Sequence, residues 1–339
     1  MKPSTAPSEG VHYTAPSAGS NVMVWLSAWC VSFSLIVFVT FIGTLVYLSA
    51  TWVLEFYAAE SVVDSVIMAF RAVFFPDSAA ADFPPMLPAI VGTSVVVVLM
   101  SVIVAPLGII VAVYLSEYAG ETWYTELVRI GVQNLAGVPS VIFGVFGLAF
   151  FVYGVGGSLD VWLYADRLPS PTYGAPGLLW AATTLALLTL PTVIVVAEEG
   201  LYRVPESLRE GSYALGATRA ETVLRVVIPA AAPSFFTGII LAVARAAGEV
   251  APLMLVGVVR FAPELPVSTT APFVHLEQKF MHLGFYIFDI SSHAVIGEGR
   301  LGLLAVASLL LVAVILVLNI AAIVLRNSLR RRYQTIEEL

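Results

Sequence analysis

A chain of 339 residues that is 59% hydrophobic and only 12% charged has too little charge to cover a soluble globule, so it reads as an α-helical membrane protein. Its formal net charge of −7, with no basic patch carrying interleaved aromatics, excludes nucleic acid as a partner. Cys30 is the single cysteine, which rules out an internal disulfide and a cysteine metal cluster, and neither Lys2 nor Lys279 follows the glycine-rich run of a phosphate-cradling loop. The sequence calls for no cofactor.

Residues 1–22 are rich in Pro, Ser, Thr and Gly and read as a disordered tail. From Met23 to Trp52 runs an uncharged apolar stretch, the first expected span, with Trp25, Trp29 and Trp52 placed as interfacial anchors. It is longer than the apolar part of a cleaved signal peptide and lacks the basic region before it. Residues 53–86 set Glu55, Glu60, Asp64, Asp77 and Asp82 against Arg71 and contain proline breaks, which predicts an extramembrane loop.

The helical core is expected over residues 87–325. Its first span, Leu87 to Ser116, carries Pro106 and should kink there. The third span of the chain is read as Leu127 to Tyr153, with Gly137, Gly144 and Gly147 spaced for close helix contact. Residues 154–176 form a loop. The fourth span, Gly177 to Ala197, is interrupted by Pro191, and the fifth runs from Ala232 to Val259. Segment 260–299 is broken by Pro263, Pro266 and Pro272; its His275, His282 and His293 read as a solvated face. Leu301 to Leu325 is the sixth span, and the basic tail 326–339 suits a topological anchor in contact with anionic lipid. Six spans put both termini on one side. Lysine and arginine favour the termini and the loops on that side, which assigns it to the cytoplasm.

Two constellations carry functional content. The polar stretch 198–230 contains EGSYALGATRAETVLRVVIP, from Glu210 to Pro229. Small residues surround a glycine break at Gly216, and Val223, Val226 and Val227 then recur at helical spacing, so the stretch reads as helix, turn and amphipathic helix. The pattern fits a loop seated in a groove of another protein, and equally a solvated connector. Arg245 and Glu249 stand four apart near the middle of the fifth expected span. Each charge there costs roughly 2.5 to 3.5 kcal/mol on insertion scales, which pairing or a watery cavity must offset. One reading is an internal salt bridge that fixes helix packing. The other is that Arg245 lines a translocation path, because a guanidinium stays charged and matches phosphate oxygens bidentately. Gln133, Asn134 and Ser140 are ordinary interhelical hydrogen-bonding candidates. No H-E-x-x-H and no Ser/His/Asp set suggests membrane-embedded catalysis.

The 210–229 stretch resembles the EAA loop of bacterial ABC-importer permeases at Glu210, Gly211, Ser212, Gly216, Val226, Ile228 and Pro229. Gly211 and Ser212 stand where that pattern has two alanines. PLGIIVAVYLSEYAG (106–120), GVPSVIFGVFGL (137–148), VPESLREGSYALGATR (204–219) and RAAGEVAPLMLVG (245–257) further resemble phosphate-specific, Pst-type permeases, with the last stretch similar to the A-type subunit. The resemblance implies an all-α, six-span, type I ABC-importer permease with a cytoplasmic coupling helix, in the bacterial inner membrane and with no ATPase site of its own. It implies that Glu210, Gly211, Ser212, Ala214, Leu215, Gly216, Ala217 and Arg219 couple to a pair of cytoplasmic ATPase subunits. A C-type permease and a periplasmic phosphate-binding protein would complete the complex. A permease for another oxyanion or a phosphonate, and an ATP-independent phosphate transporter, are the alternatives.

Overall fold

The computed structural model describes residues 18–56, 86–120, 122–262, 264–292 and 298–337, together with Asp64 and Ile67. Most of the expected tail 1–22 and loop 53–86, with Pro263 and His293, lies outside the described residues.

Apolar runs in lipid must satisfy their backbone groups internally, so they form helices. Among the described residues, six of these are long and apolar enough to cross a membrane. They are α1 (Ala18–Phe56), α2 (Leu87–Tyr118), α4 (Ser140–Leu163), α5 (Leu178–Tyr202), α7 (Arg219–Ala246) and α10 (Glu298–Glu337). Shorter helices are α3 (Trp123–Ala136), α6 (Glu206–Ala214), α8 (Leu253–Val256) and α9 (Leu283–Ser292). Pro106 and Pro191 lie inside α2 and α5, which continue through them. Three stretches widen to π-helix: Tyr114–Tyr118 ending α2, Gly147–Gly156 within α4 and Val223–Val227 within α7.

Helices α2, α5 and α7 form the core, where Val96, Met100, Leu185, Val193, Ala242 and Ala246 are all buried. In contrast, α1 leans on α10 through Trp52 and Gly302 and leaves Trp29, Phe33 and Phe41 exposed, as a lipid-facing helix would.

Two spans begin elsewhere than the sequence reading placed them, and residues 154–163, read as part of a loop, continue the α4 helix. Leu127 to Ala136 belongs to α3, an amphipathic helix capped by Thr122, whose Oγ1 accepts from the Thr125 N–H at 3.3 Å. The helix stops at Gly137-Val138-Pro139 because a residue before proline avoids the α region, and the span itself begins at Ser140. The fifth span starts earlier, at Arg219, and ends at Ala246, before a turn through Gly248 and Pro252.

The segment after that turn folds back into the bundle instead of lying in solvent. The backbone N–H groups of Leu178 and Leu179, orphaned at the start of α5, donate to the carbonyls of Gln278 and Leu276, each at 2.9 Å. Thr93 of α2 accepts from the Leu283 N–H at 2.9 Å. Between them His282 is fully buried, contrary to the solvated face expected for it, and its Nδ1 accepts from the Gly284 N–H at 3.1 Å. Burial holds the imidazole down to about 4. The unfolded chain therefore binds this proton more readily than the folded one, so stability is complete above the ordinary histidine pKa and falls as pH drops from about 6.5 towards 4. Thermal unfolding in detergent should show a melting temperature that declines over this window. In His282→Asn the decline should be shallower.

Candidate coupling face and charged helix break

The loop between α5 and α7 is built by local chemistry. Helix α6 follows Pro205, whose fixed φ suits a helix start, and ends in a Schellman motif. The Gly216 N–H donates to the Tyr213 carbonyl at 2.9 Å, and the Ala217 N–H to the Ser212 carbonyl at 3.2 Å. Gly216 has φ +85°, the left-handed region where a Cβ is penalised. Thr218 then opens α7 through a capping box with Glu221, and the hydroxyls of Ser212 and Thr222 meet at 2.9 Å across the turn.

Three arginines fasten this loop and its surroundings. Arg209 of α6 pairs with Glu117 at 2.8 Å and donates to the carbonyls of Val204 at 2.8 Å and Leu201 at 3.1 Å, the free end of α5. Arg219 donates to the Glu117 carbonyl and lies over the Tyr118 ring at 5.4 Å. Arg129 of α3 pairs with Glu198 at 2.9 Å and donates to the Tyr202 hydroxyl at 2.7 Å and the Leu115 carbonyl at 3.3 Å.

The outward side of the loop is open. No residue of α6 is buried, and Leu215 is 91% exposed. A Cβ added at Gly211 or Gly216 would meet nothing within 4 Å, so the small residues there leave space that this chain does not fill. Glu210, Ala214 and Ala217 share the same stretch, Ala217 being half-buried. A groove of about 690 Å³ runs beside it, lined by Glu117, Tyr202, Arg203, Glu206, Tyr213 and Arg219. Of the residues singled out from sequence, Arg219 alone turns its charge back onto the bundle. Glu117, Arg129, Glu198, Tyr202 and Arg209 escaped that reading.

The second constellation sits at a helix break. Arg245 lies in the last turn of α7, and Glu249 lies beyond the helix end, correcting the expectation that both occupy one continuous helix. Their Nε and Oε1 are 3.6 Å apart, too long for a hydrogen bond, with side chains 38% and 20% exposed. Gly238 packs on Val193 of the antiparallel α5, so Arg245 lies about 12 Å short of the level of Leu178, inside the span. The turn itself is wedged in place by α4: a Cβ on Gly144 would come within 2.7 Å of the Pro252 Cα, and Gly147 abuts Thr184 and Val256. Gly137, grouped with these two from its spacing, approaches only its own turn at the Asn134 carbonyl. Gln133 and Asn134 are exposed on α3, outside the spans.

Six helices able to cross a membrane among the described residues, a charged helix break and a fastened loop at one face make this a multi-pass membrane protein. The family model "Binding-protein-dependent transport system inner membrane component" matches residues 104–335, and the chain belongs to that family. It is a multi-pass inner-membrane transport subunit of type I ABC-importer permease fold, without an ATPase site of its own. The chain is 37% identical over 185 residues to the probable ABC transporter permease protein YqgH of Bacillus subtilis, covering 54% of this chain and 56% of the relative. It is 32% identical over 228 residues to YqgI of the same organism, covering 65% and 70%. It is 38% identical over 170 residues to the phosphate transport system permease protein PstA 1 of Mycobacterium tuberculosis, covering 50% and 49%. The chain thus spans about half the length of YqgH and PstA 1. Among solved structures, the bacterial alginate ABC transporter aligns with a TM-score of 0.56 at 17% identity, over 88% of this chain and 92% of that one. The inward-facing MetNI methionine ABC transporter aligns with a TM-score of 0.52 at 16% identity, over 72% and 95%.

Proposed function

We propose that the chain is the A-type permease subunit of an ATP-driven inorganic phosphate importer. The observation that carries this reading is Arg245, a guanidinium with no hydrogen bond among the described residues, in the last turn of a helix able to cross a membrane and next to its break. Broken helices are where transporters of several folds bind their cargo, and a guanidinium fork suits a phosphate oxyanion. Similarity to proteins named PstA supports phosphate as the cargo. The partners are a C-type permease, a pair of cytoplasmic ATPases seated on the 210–217 loop, and a periplasmic phosphate-binding protein. Both termini and the loop face the cytoplasm.

On this reading the anion leaves the binding protein, meets Arg245 along the path and passes inward as the bundle rocks. Glu249 restrains the guanidinium and competes for it, so the anion is not trapped. The subunit forms and breaks no covalent bond. The test is labelled-phosphate uptake by phosphate-starved cells that lack this subunit, complemented with the wild-type chain and challenged with molybdate, sulfate and a phosphonate. Rescue that only phosphate competes supports the reading; competition by another anion reassigns the cargo. Uptake that persists without ATP hydrolysis would replace the importer by a secondary transporter.

A further inference from the structure

We infer that Glu117 is the positioning residue that joins the 206–217 loop to α2, so that force applied to the loop reaches the bundle through one carboxylate; this rests on the functional reading above. The loop needs such a joint because its helix has little apolar hold of its own: no residue of α6 is buried, and the nearest buried side chain before it is Val204, packed on Leu201 and Val227. Its covalent links are the Val204-Pro205 junction on one side and the Gly216 turn on the other, both without regular helix.

What remains is polar, and the strongest part converges on Glu117. Its side chain is 8% exposed and that of Arg209 is 13% exposed, with 2.8 Å between them, so the pair is shielded and charge-assisted. The same Arg209 also reaches the Leu201 and Val204 carbonyls, tying α5 into the joint. On its other side, the Glu117 carbonyl accepts from Arg219, on the far limb of the loop. The π-helical turn Tyr114–Tyr118 makes this geometry available. Its wider hydrogen bonding, closed by the Ala119 N–H on the Tyr114 carbonyl at 2.8 Å, leaves the Leu115 carbonyl to Arg129, and the helix end at Tyr118 leaves the Glu117 carbonyl to Arg219. One turn of α2 is thereby gripped from α3, α6 and α7. The Ser212–Thr222 contact is a neutral hydroxyl pair and the weaker of the two ways of holding α6.

Because the joint transmits motion and touches neither phosphate nor ATP, its loss should change the stoichiometry of transport. The experiment reconstitutes the complete complex in proteoliposomes and measures phosphate moved per ATP hydrolysed, normalised to assembled complex. In Glu117→Gln the ratio should fall on the order of tenfold, the range found for residues that couple distant sites. Arg209→Gln should lower it at least as far. Adding Glu117→Gln to Arg209→Gln should lower it no further, because one joint is lost only once. Should Glu117→Gln fail to assemble, Arg209→Lys serves instead. A compact ammonium cannot hold Glu117 and two carbonyls together, so the ratio should again fall. A residue that merely stabilises the fold would lower transport and hydrolysis together and leave the ratio unchanged; that result, with wild-type uptake intact, overturns the joint. Additive losses in the double variant overturn it as well. A wild-type complex that moves no phosphate overturns the functional reading, and the joint falls with it.

Discussion

Gly216→Val should abolish most phosphate uptake while the protein still inserts in the membrane and assembles. The residue has φ +85° at the Schellman end of α6. A left-handed conformation costs an L-residue about 1–2 kcal/mol, and a β-branched side chain is the least suited to it. The loop then rotates out of its turn, carrying Leu215 away from where a partner would meet it. A change of about 2 kcal/mol corresponds to roughly a thirtyfold loss. The informative contrast is Gly216→Asn, since asparagine tolerates the left-handed region better than other side chains. Apart from its chain neighbours, no described residue lies within 4 Å of the added Cβ, so backbone strain predicts that Gly216→Asn keeps most uptake. If Asn is as damaging as Val, the glycine is required by the surface of the partner and not by the turn. Uptake assayed beside membrane content separates these outcomes from failed insertion, and normal uptake in Gly216→Val would end the coupling assignment of this loop.

The bundle was legible in the sequence because lipid imposes one solution on an apolar run, and the glycine break at 216 was legible because few residues accept its backbone. The errors share a cause. Leu127, Ile130 and Leu135 make one face of α3 apolar, and hydropathy fuses that face with the next span although Gly137-Val138-Pro139 separates them. The fifth span begins earlier than its sequence suggests because Pro229, which closes the loop motif, sits in the first turn of a helix segment that follows a π-turn, and that helix runs on through Pro233. The fasteners Glu117, Arg129, Glu198 and Arg209 were invisible for a different reason. Arg209 is 92 residues from Glu117, and Arg129 is 69 from Glu198, so only the folded bundle pairs them. In sequence they look like ordinary charges at helix ends. His282 escaped because a histidine among prolines and polar residues resembles a surface loop, whereas segment 276–283 is drawn inward to satisfy the first turn of α5 and Thr93 of α2.

Arg245→Ala should lower phosphate uptake on the order of a hundredfold, the effect of removing about 3 kcal/mol of charge-assisted hydrogen bonding to an anion. The side chain lies on the exposed face of α7 that also carries Leu241, about 12 Å short of the level at which α5 begins. A guanidinium facing hydrocarbon at that depth is costly, so this face is to be covered by a second subunit or by water. Its position at the C-terminal end of α7 offsets part of that cost through the helix dipole. Glu249 does not close the account, since 3.6 Å leaves the guanidinium donors available. Arg245→Lys keeps the charge and loses the fork, so uptake should fall about tenfold and not a hundredfold. A structural role for the pair makes the opposite forecast for the double variant. If Arg245 only neutralises Glu249, then Arg245→Ala with Glu249→Ala removes both charges together and uptake recovers. If Arg245 meets the anion, the double variant remains as inactive as Arg245→Ala, because no residue has replaced the guanidinium. Uptake measured across the four chains, with membrane content held equal, decides between a helix fastener and a place on the phosphate path.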